Sequence, residues 1–233
     1  MKNKRHQENL KLIPESALPA AAAVAAVKKF KPAKFDQSVE VCMHLGVDVK
    51  HADQMIRGSV SLPKGIGKNK RVIAFCQPEN VKASLEAGAV KAGGEDLMQE
   101  VEGGFMDFDV AVASPEMMRV ISKLGKVLGP KGLMPSPKNG TVTKNVPEAV
   151  GEFAAGKLEY RTDKGGNIHA IIGKMSFSEG DLLENYQHLL ETIEKARPST
   201  VKGTYIKKIT LSGTMTPGVG VEHVVEEAQG VGA

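Results

Sequence analysis

Two kinds of strand pattern, one near the ends of the chain and one in its middle, predict an α/β protein of two domains. Near the ends, Ser38–Leu45 and Thr204–Ser212 alternate with period two, as half-buried antiparallel strands do. In the middle, Val72–Phe75 is a continuous apolar run, and Phe108–Ala113 forms a second strand ahead of a helix start. Strands and helices alternating at such short spacing build a layered domain on parallel strands. The 233 residues suffice for one large core or two ordinary ones. The predicted architecture is a discontinuous α+β domain, residues 1–67 and 159–233, whose antiparallel sheet is made from both chain ends. Residues 68–158 form an inserted three-layer α/β domain with a mainly parallel, Rossmann-like sheet.

Each element has its own justification. Residues 14–30 form a helix rich in Ala, Val and Lys, ended by Lys31-Pro32. In the strand that follows, Val39, Val41, Met43 and Leu45 face one way, and Glu40, Cys42 and His44 the other. Lys34-Phe35-Asp36 precedes what looks like an edge strand. Gly58–Pro63 holds a second short strand, and Pro63–Asn69 is rich in breakers. After Val72–Phe75 come a helix over Val81–Ala87, a short strand at Val90, and a helix opened by Gly93-Gly94-Glu95-Asp96. Ser114 and Pro115 begin another helix, with Ser114 as N-cap and Pro115 at N1. Pro147-Glu148 opens the last helix of the insert, running through Phe153. Leu158–Ile172 is a hairpin turning at Asp163–Gly166. Leu182–Lys195 is an amphipathic helix burying Leu182, Leu183, Tyr186, Leu189, Leu190 and Ile193. In the final strand Tyr205, Lys207, Ile209 and Leu211 oppose Ile206, Lys208 and Thr210. Beyond Gly218 lies an acidic tail carrying Glu222, Glu226 and Glu227, either a short helix or frayed.

Charge is unevenly placed. Residues 1–68 carry 12 basic and 6 acidic residues, 69–158 carry 11 of each, and 159–233 carry 8 basic and 10 acidic. The net charge of +4 favours anionic partners only weakly, and the lack of Trp argues against a broad base-stacking platform. No run reaches the ~18 apolar residues that span a bilayer. The alanine-rich stretch Pro19–Val27 is too weakly apolar for a secretory leader, so no membrane partner is expected. Cys42 and Cys76 match no redox or zinc spacing and are expected to be buried free thiols in a reducing cytosol. Gly65-Ile66-Gly67-Lys68 lacks the Walker spacer, and the six histidines fall in unrelated contexts. Catalytic residues, metal and cofactor are therefore expected to be absent.

The most distinctive segment is Gly125–Gly140. From Arg119 to Lys144 there are six Lys or Arg and no Asp or Glu, with Pro130, Pro135 and Pro137 stiffening the chain. Too rich in Gly and Pro for a helix and too basic for core, it can hold Lys126, Lys131 and Lys138 towards a polyanion. Alternatively it closes the inserted domain and leaves its lysines in solvent. Elsewhere, Phe35 beside Lys34 either packs a helix to the sheet or offers apolar contact next to charge, with Ser38 and Glu40 pointing outward on the same register. Arg57 can fork onto a phosphate or pair with Asp53. The hairpin supplies Arg161, Lys164, Asn167 and His169. The loop Leu211–Gly218 offers Ser212, Thr214 and a projecting Met215, which either meets a nucleoside face or fills a gap.

Ile121-Ser-Lys-Leu-Gly-Lys-Val-Leu-Gly-Pro-Lys-Gly-Leu-Met-Pro-Ser136 resembles the signature of the large-subunit ribosomal protein L1 family of bacterial type. Lys34–Val41, Asp53–Pro63, Tyr160–His169, Lys202–Ile206 and Ser212–Met215 are similar to that family in the same order, so the likeness runs from about residue 10 to about residue 220. The resemblance implies a two-domain protein that binds 23S rRNA in the large ribosomal subunit. It also implies a mobile stalk beside the tRNA exit site, help in releasing deacylated tRNA, and repression of translation through its own mRNA leader. The implied protein is cytoplasmic, ribosome-bound, and monomeric when free. It further implies that Lys34, Phe35, Thr214 and Met215 face RNA; Ser38, Glu40, Arg57, Arg161, Lys164, His169 and Ser212 join them as rRNA-binding candidates by their own chemistry and position. Lys126, Lys131 and Lys138 are candidates for a second RNA or tRNA contact. One departure stands out: Thr216-Pro217 replaces the family's Gly-Pro, and the added side chain would crowd a close ribose contact unless Gly218 takes over. The alternative function is a basic-surface scaffold for proteins without specific RNA binding.

Overall fold

The computed structural model describes residues 4–51 and 53–223. The tail residues Glu226 and Glu227 lie outside the described residues. The chain runs through helices α1 (Lys4–Leu10) and α2 (Ala20–Lys29) into strands β1 (Ser38–Leu45) and β2 (Arg57–Val60). Next come β3 (Val72–Phe75), α3 (Pro78–Glu86), β4 (Ala89–Gly93), α4 (Glu95–Glu102) and β5 (Val110–Ala113). Short helices α5 (Met118–Ile121) and α6 (Gly125–Leu128) precede α7 (Val146–Ala154). The return path holds β6 (Leu158–Arg161), β7 (Asn167–Lys174), α8 (Glu179–Lys195), β8 (Ile206–Gly213) and β9 (Val219–Val221).

Two compact units result. One comprises residues 1–57, 62–66 and 160–233, and the other residues 58–61 and 67–159. In the first, an antiparallel sheet of order β7-β1-β8-β9 draws on both chain ends. Helices α2 and α8 pack on each other and on one face of it. Val39, Val41, Met43 and Leu45 of β1 are buried on that side, with Ile168, Ala170 and Ile172 of β7 and Leu182, Leu189 and Ile193 of α8. Ser178 caps α8 by accepting from the Asp181 amide at 3.0 Å. Asn185 is fully buried in α8 yet satisfied: its amide group donates to the Ile172 and Gly65 carbonyls at 2.7 and 2.9 Å, and its oxygen accepts from the Lys64 amide at 3.0 Å.

In the second unit the three strands, order β4-β3-β5, are all parallel. Val72, Ala74, Val110 and Val112 bury one face against Val150 and Phe153 of α7. Ile73, Phe75, Ala111 and Ala113 bury the other against Leu97, Val101, Ile121, Leu124 and Leu128. Strands β3 and β5 read as continuous apolar runs because both their faces are covered, whereas the edge strand β4 is buried only at Ala89.

Several expectations need correction. Strand β1 is central, not at an edge, because β7 and β8 flank it. Of residues 14–30 only Ala20–Lys29 is helical, as α2, a separate helix α1 precedes it, and Leu18 bridges to Val221 at the β9 edge. The hairpin turn at Asp163–Gly166 forms, but its arms separate: β6 pairs with β2 and β7 with β1. Simple alternation in β8 fails at Lys207, because Leu45 pairs with Ile206 while His44 pairs with Lys208. That bulge leaves Lys207 and Lys208 both exposed between the buried Ile206 and Ile209. In α8, Leu183 and Leu190 are only half-buried. Ser114 is not an N-cap: its amide joins the Phe75 carbonyl at the strand end, and α5 begins four residues later. The Gly125 segment does form a helical turn, α6, because its prolines all follow Leu128. Leu124 and Leu128 are core, so this basic stretch has an apolar underside. Cys76 is buried as expected, whereas Cys42 is half-exposed on the sheet face away from the helices.

Candidate nucleic-acid interface

The face of β7-β1-β8 turned away from α2 and α8 is polar. Register places its residues in rows: His44 between Asn167 and Lys208, Cys42 between His169 and Thr210, and Glu40 between Ile171 and Ser212. Ser38 stands opposite Lys174, whose ammonium donates to the Ser38 hydroxyl at 2.9 Å. From Ser38 to His44 this surface is about 20 Å long at ~3.4 Å per residue. A run of half-exposed hydroxyl, imidazole, carboxylate and ammonium groups suits sugar and phosphate edges.

Three loops meet at the Ser38 end around the buried Gln37. Its side-chain oxygen accepts from the Met215 amide at 2.9 Å, and its carbonyl accepts from the Met175 amide at 2.8 Å. Asp36 accepts from the Ser176 amide and hydroxyl at 3.2 and 2.8 Å. The Thr214 hydroxyl accepts from the Ser38 amide at 3.1 Å, and the Thr214 amide donates to the Ser38 carbonyl at 3.0 Å. On this hydrogen-bonded base, Phe35 and Met215 are 54% and 53% exposed. Phe35 therefore does not pack a helix to the sheet, and Met215 fills no gap. Lys34 beside Phe35 is also exposed.

Thr216 does not project into the loop's approach. Its hydroxyl accepts from the Gly213 amide at 2.8 Å, closing a tight turn over a position where a Cβ would meet Met175 Cε at 2.9 Å and Thr216 Oγ1 at 3.1 Å. The Thr216 side chain is thus hydrogen-bonded within its own turn.

At the opposite end, Asp163 organises the turn. It accepts from the Gly165 and Asn167 amides, each at 2.8 Å, and Gly166 takes φ +77°. The Asn167 backbone and side-chain donors, then Gly165 and His169, hold the Asp163 carboxyl below its usual range. Because Asn167 donates to Asp163 at 3.1 Å, its oxygen is left to accept from His44 Nδ1 at 2.9 Å. His169 Nε2 lies 3.6 Å from Asp163, and Lys164 is exposed at the tip. Burial, and then the Asp163 charge, push the Cys42 thiol up, against the pull of Lys208, so it stays protonated and unreactive near neutrality.

The predicted residues thus divide into groups. Lys34, Phe35, Ser38, Glu40, His169, Ser212, Thr214 and Met215 belong to one sheet face and its loop-bearing end, with Lys164 at the far turn. Arg57 and Arg161 sit instead on the small β2–β6 pair, beside Ile56 and Thr162, which share three hydrogen bonds. Lys126, Lys131 and Lys138 are exposed in the other unit, over the buried Leu124 and Leu128. Lys174, Thr210, Lys208 and the supports Asp36 and Gln37 were not anticipated. Period-two alternation could have found the first three, but nothing local marks Gln37, whose partner is 178 residues away.

The sequence model of the Ribosomal protein L1p/L10e family matches residues 27–217, most of the chain. The chain belongs to this family. Membership supports a ribosomal, RNA-binding role. Among the described residues no cluster of His, Cys, Asp and Glu could hold a metal ion, and no helix is long and apolar enough to cross a membrane.

Proposed function

We propose that this family member is of bacterial type, and that residues 1–67 with 159–233 grip 23S rRNA in the large ribosomal subunit. The observation that carries this reading is the exposed apolar pair Phe35 and Met215, fixed by hydrogen-bonded loops at the end of a polar, helix-free sheet face. Half-exposed apolar side chains on a rigid base lose little entropy when covered, and bases or riboses can cover them. Ser38, Ser212 and His169 offer hydrogen bonds to sugar and phosphate. Glu40 accepts from 2′-hydroxyls or base amino groups, and Lys34, Lys164, Arg57 and Arg161 neutralise phosphates. Thr214 acts mainly by holding the loop to Ser38.

In this reading the protein forms the mobile stalk beside the tRNA exit site and assists departure of deacylated tRNA. It binds a similar fold on its own mRNA leader and represses translation, works in the cytoplasm on the ribosome, and is monomeric when free. The inserted domain, residues 68–158, reaches a second RNA or tRNA surface through Lys126, Lys131 and Lys138. The deciding experiment is footprinting of the whole chain on total rRNA at two salt concentrations. One protected structured site that persists at the higher salt supports specific recognition; diffuse protection lost with salt would leave only polyanion attraction and overturn the reading.

A further inference from the structure

Helix α1 lies before the residues that match the family, yet it touches both loops of the interface. The Arg5 guanidinium donates to the Met215 carbonyl at 3.2 Å. Asn9 is fully buried; its oxygen accepts from the Lys31 amide at 2.9 Å, and its amide group donates to the Lys31 carbonyl at 3.5 Å. Glu8 pairs with the Lys31 ammonium at 2.5 Å. Lys31 is four residues before Phe35, so one helix is tied to the segment leading to Phe35 and to the turn carrying Met215.

The docking is polar rather than greasy: Leu10 and Leu12 remain 36% and 53% exposed, while the asparagine is buried. A helix of seven residues has little stability of its own, so its order depends on these contacts. The dependence runs both ways, because any contact that orders α1 also restricts the loops it holds. We propose that α1 is a positioning clamp that holds the Phe35 and Met215 loops in their RNA-meeting arrangement before RNA arrives. This rests on the RNA-binding reading given above. Clamping the free protein reduces the loop ordering that binding would otherwise require.

The test uses the full chain and 23S rRNA, with Asn9→Ala and Arg5→Ala each measured in the natural background and in Met215→Ala. Each single variant should weaken binding about fivefold, mainly through faster dissociation, and Asn9→Ala should leave the salt slope unchanged. In the Met215→Ala background the effect of Arg5→Ala should nearly vanish, because its target no longer carries binding energy. Equal losses in both backgrounds would make Arg5 an independent phosphate contact and overturn the clamp, as would unchanged affinity in Asn9→Ala. Should Asn9→Ala unfold, hydrogen exchange of the free Arg5→Ala protein decides. Faster exchange at the Met215 amide supports the clamp, and an unchanged rate refutes it. If the natural chain shows no specific 23S rRNA binding, the functional reading falls, and the same exchange measurement still judges the clamp.

Discussion

The two units solve sheet burial differently. The parallel sheet β4-β3-β5 is covered on both faces, by α7 with Val150 and Phe153 on one side and by Leu97, Ile121 and Leu128 on the other. The antiparallel sheet carries α2 and α8 on one face and leaves Ser38, Glu40 and Ser212 half-buried and His169 exposed on the other. A doubly covered sheet can meet a partner only through loops or helix surfaces, whereas a singly covered one offers its strands directly. Recognition in the first unit can therefore be spread over register-fixed rows, while any in the second must rest on segments such as Gly125–Gly140.

The largest effect expected is on the covered sheet. Phe75 is fully buried within one of its two apolar layers, and Phe75→Ala leaves a cavity costing about 3–5 kcal/mol. In denaturant titrations followed by hydrogen exchange, protection in β3 and β5 should be lost early while that of β1 persists. Affinity for 23S rRNA should stay within about twofold. A single coincident loss in both units, with affinity falling in parallel, would show that the units do not hold their stability separately.

Next in size are Phe35→Ala and Met215→Ala. Both side chains are about half exposed, so the thermal midpoint should barely move. Each should nonetheless cost ~2 kcal/mol of rRNA affinity by removing apolar contact at a desolvated centre. Neither neutralises a phosphate, so filter-binding titrations across salt should keep their slope. A slope reduced as by loss of one lysine would contradict the apolar role, and unfolding of Phe35→Ala would return it to the core.

Acid should loosen the open-face unit at one known point. Asp163 has a folded pKa held below the usual value of roughly 3.9, chiefly by Asn167. A depressed carboxylate pKa adds stability above the unfolded value, and that contribution is lost as pH falls through the folded one. Exchange protection of the Gly165 and Asn167 amides should thus be constant near neutrality and fall only below about pH 4. Asp163→Asn should flatten that acid dependence. Loss of protection already at pH 6 would contradict the Asp163 carboxylate as its source.

How far these differences could be read from sequence depends on the range of the forces involved. Alternation in β1 was legible because its period of two repeats through eight residues, and the continuous run Val72–Phe75 equally marked a sheet covered on both sides. The position of β1 in the sheet was not legible, since its neighbours β7 and β8 come from more than a hundred residues away. Asn185 and Gln37 look like surface residues locally, and only distant backbone groups make their burial favourable. The bulge at Lys207 hides in an otherwise regular alternation. In the candidate site, Phe35 and Met215 were marked by apolar side chains among breakers and charge. The α1 contacts were invisible because Arg5 and Met215 are 210 residues apart.

The smallest expected effect concerns the second unit's loop. Lys126, Lys131 and Lys138 are exposed, while Leu124, Leu128, Leu133 and Met134 beneath or beside them belong to or pack against the core. Fixing the backbone is thus the work of the leucines, and the lysines are available to a partner without folding being at stake. Replacing all three with Gln should leave stability unchanged and move affinity for an isolated 23S rRNA fragment by less than about twofold, because rim charges are screened at ~8–10 Å. On assembled ribosomes the same variant should alter the stalk's distribution of positions or slow release of deacylated tRNA, measured by single-molecule fluorescence. If both are unchanged, the lysines are only solvated, and the covered unit closes on itself without a second RNA surface. A marked loss of affinity for the isolated fragment would instead place these lysines at the primary contact and erase the division of labour between the two sheets.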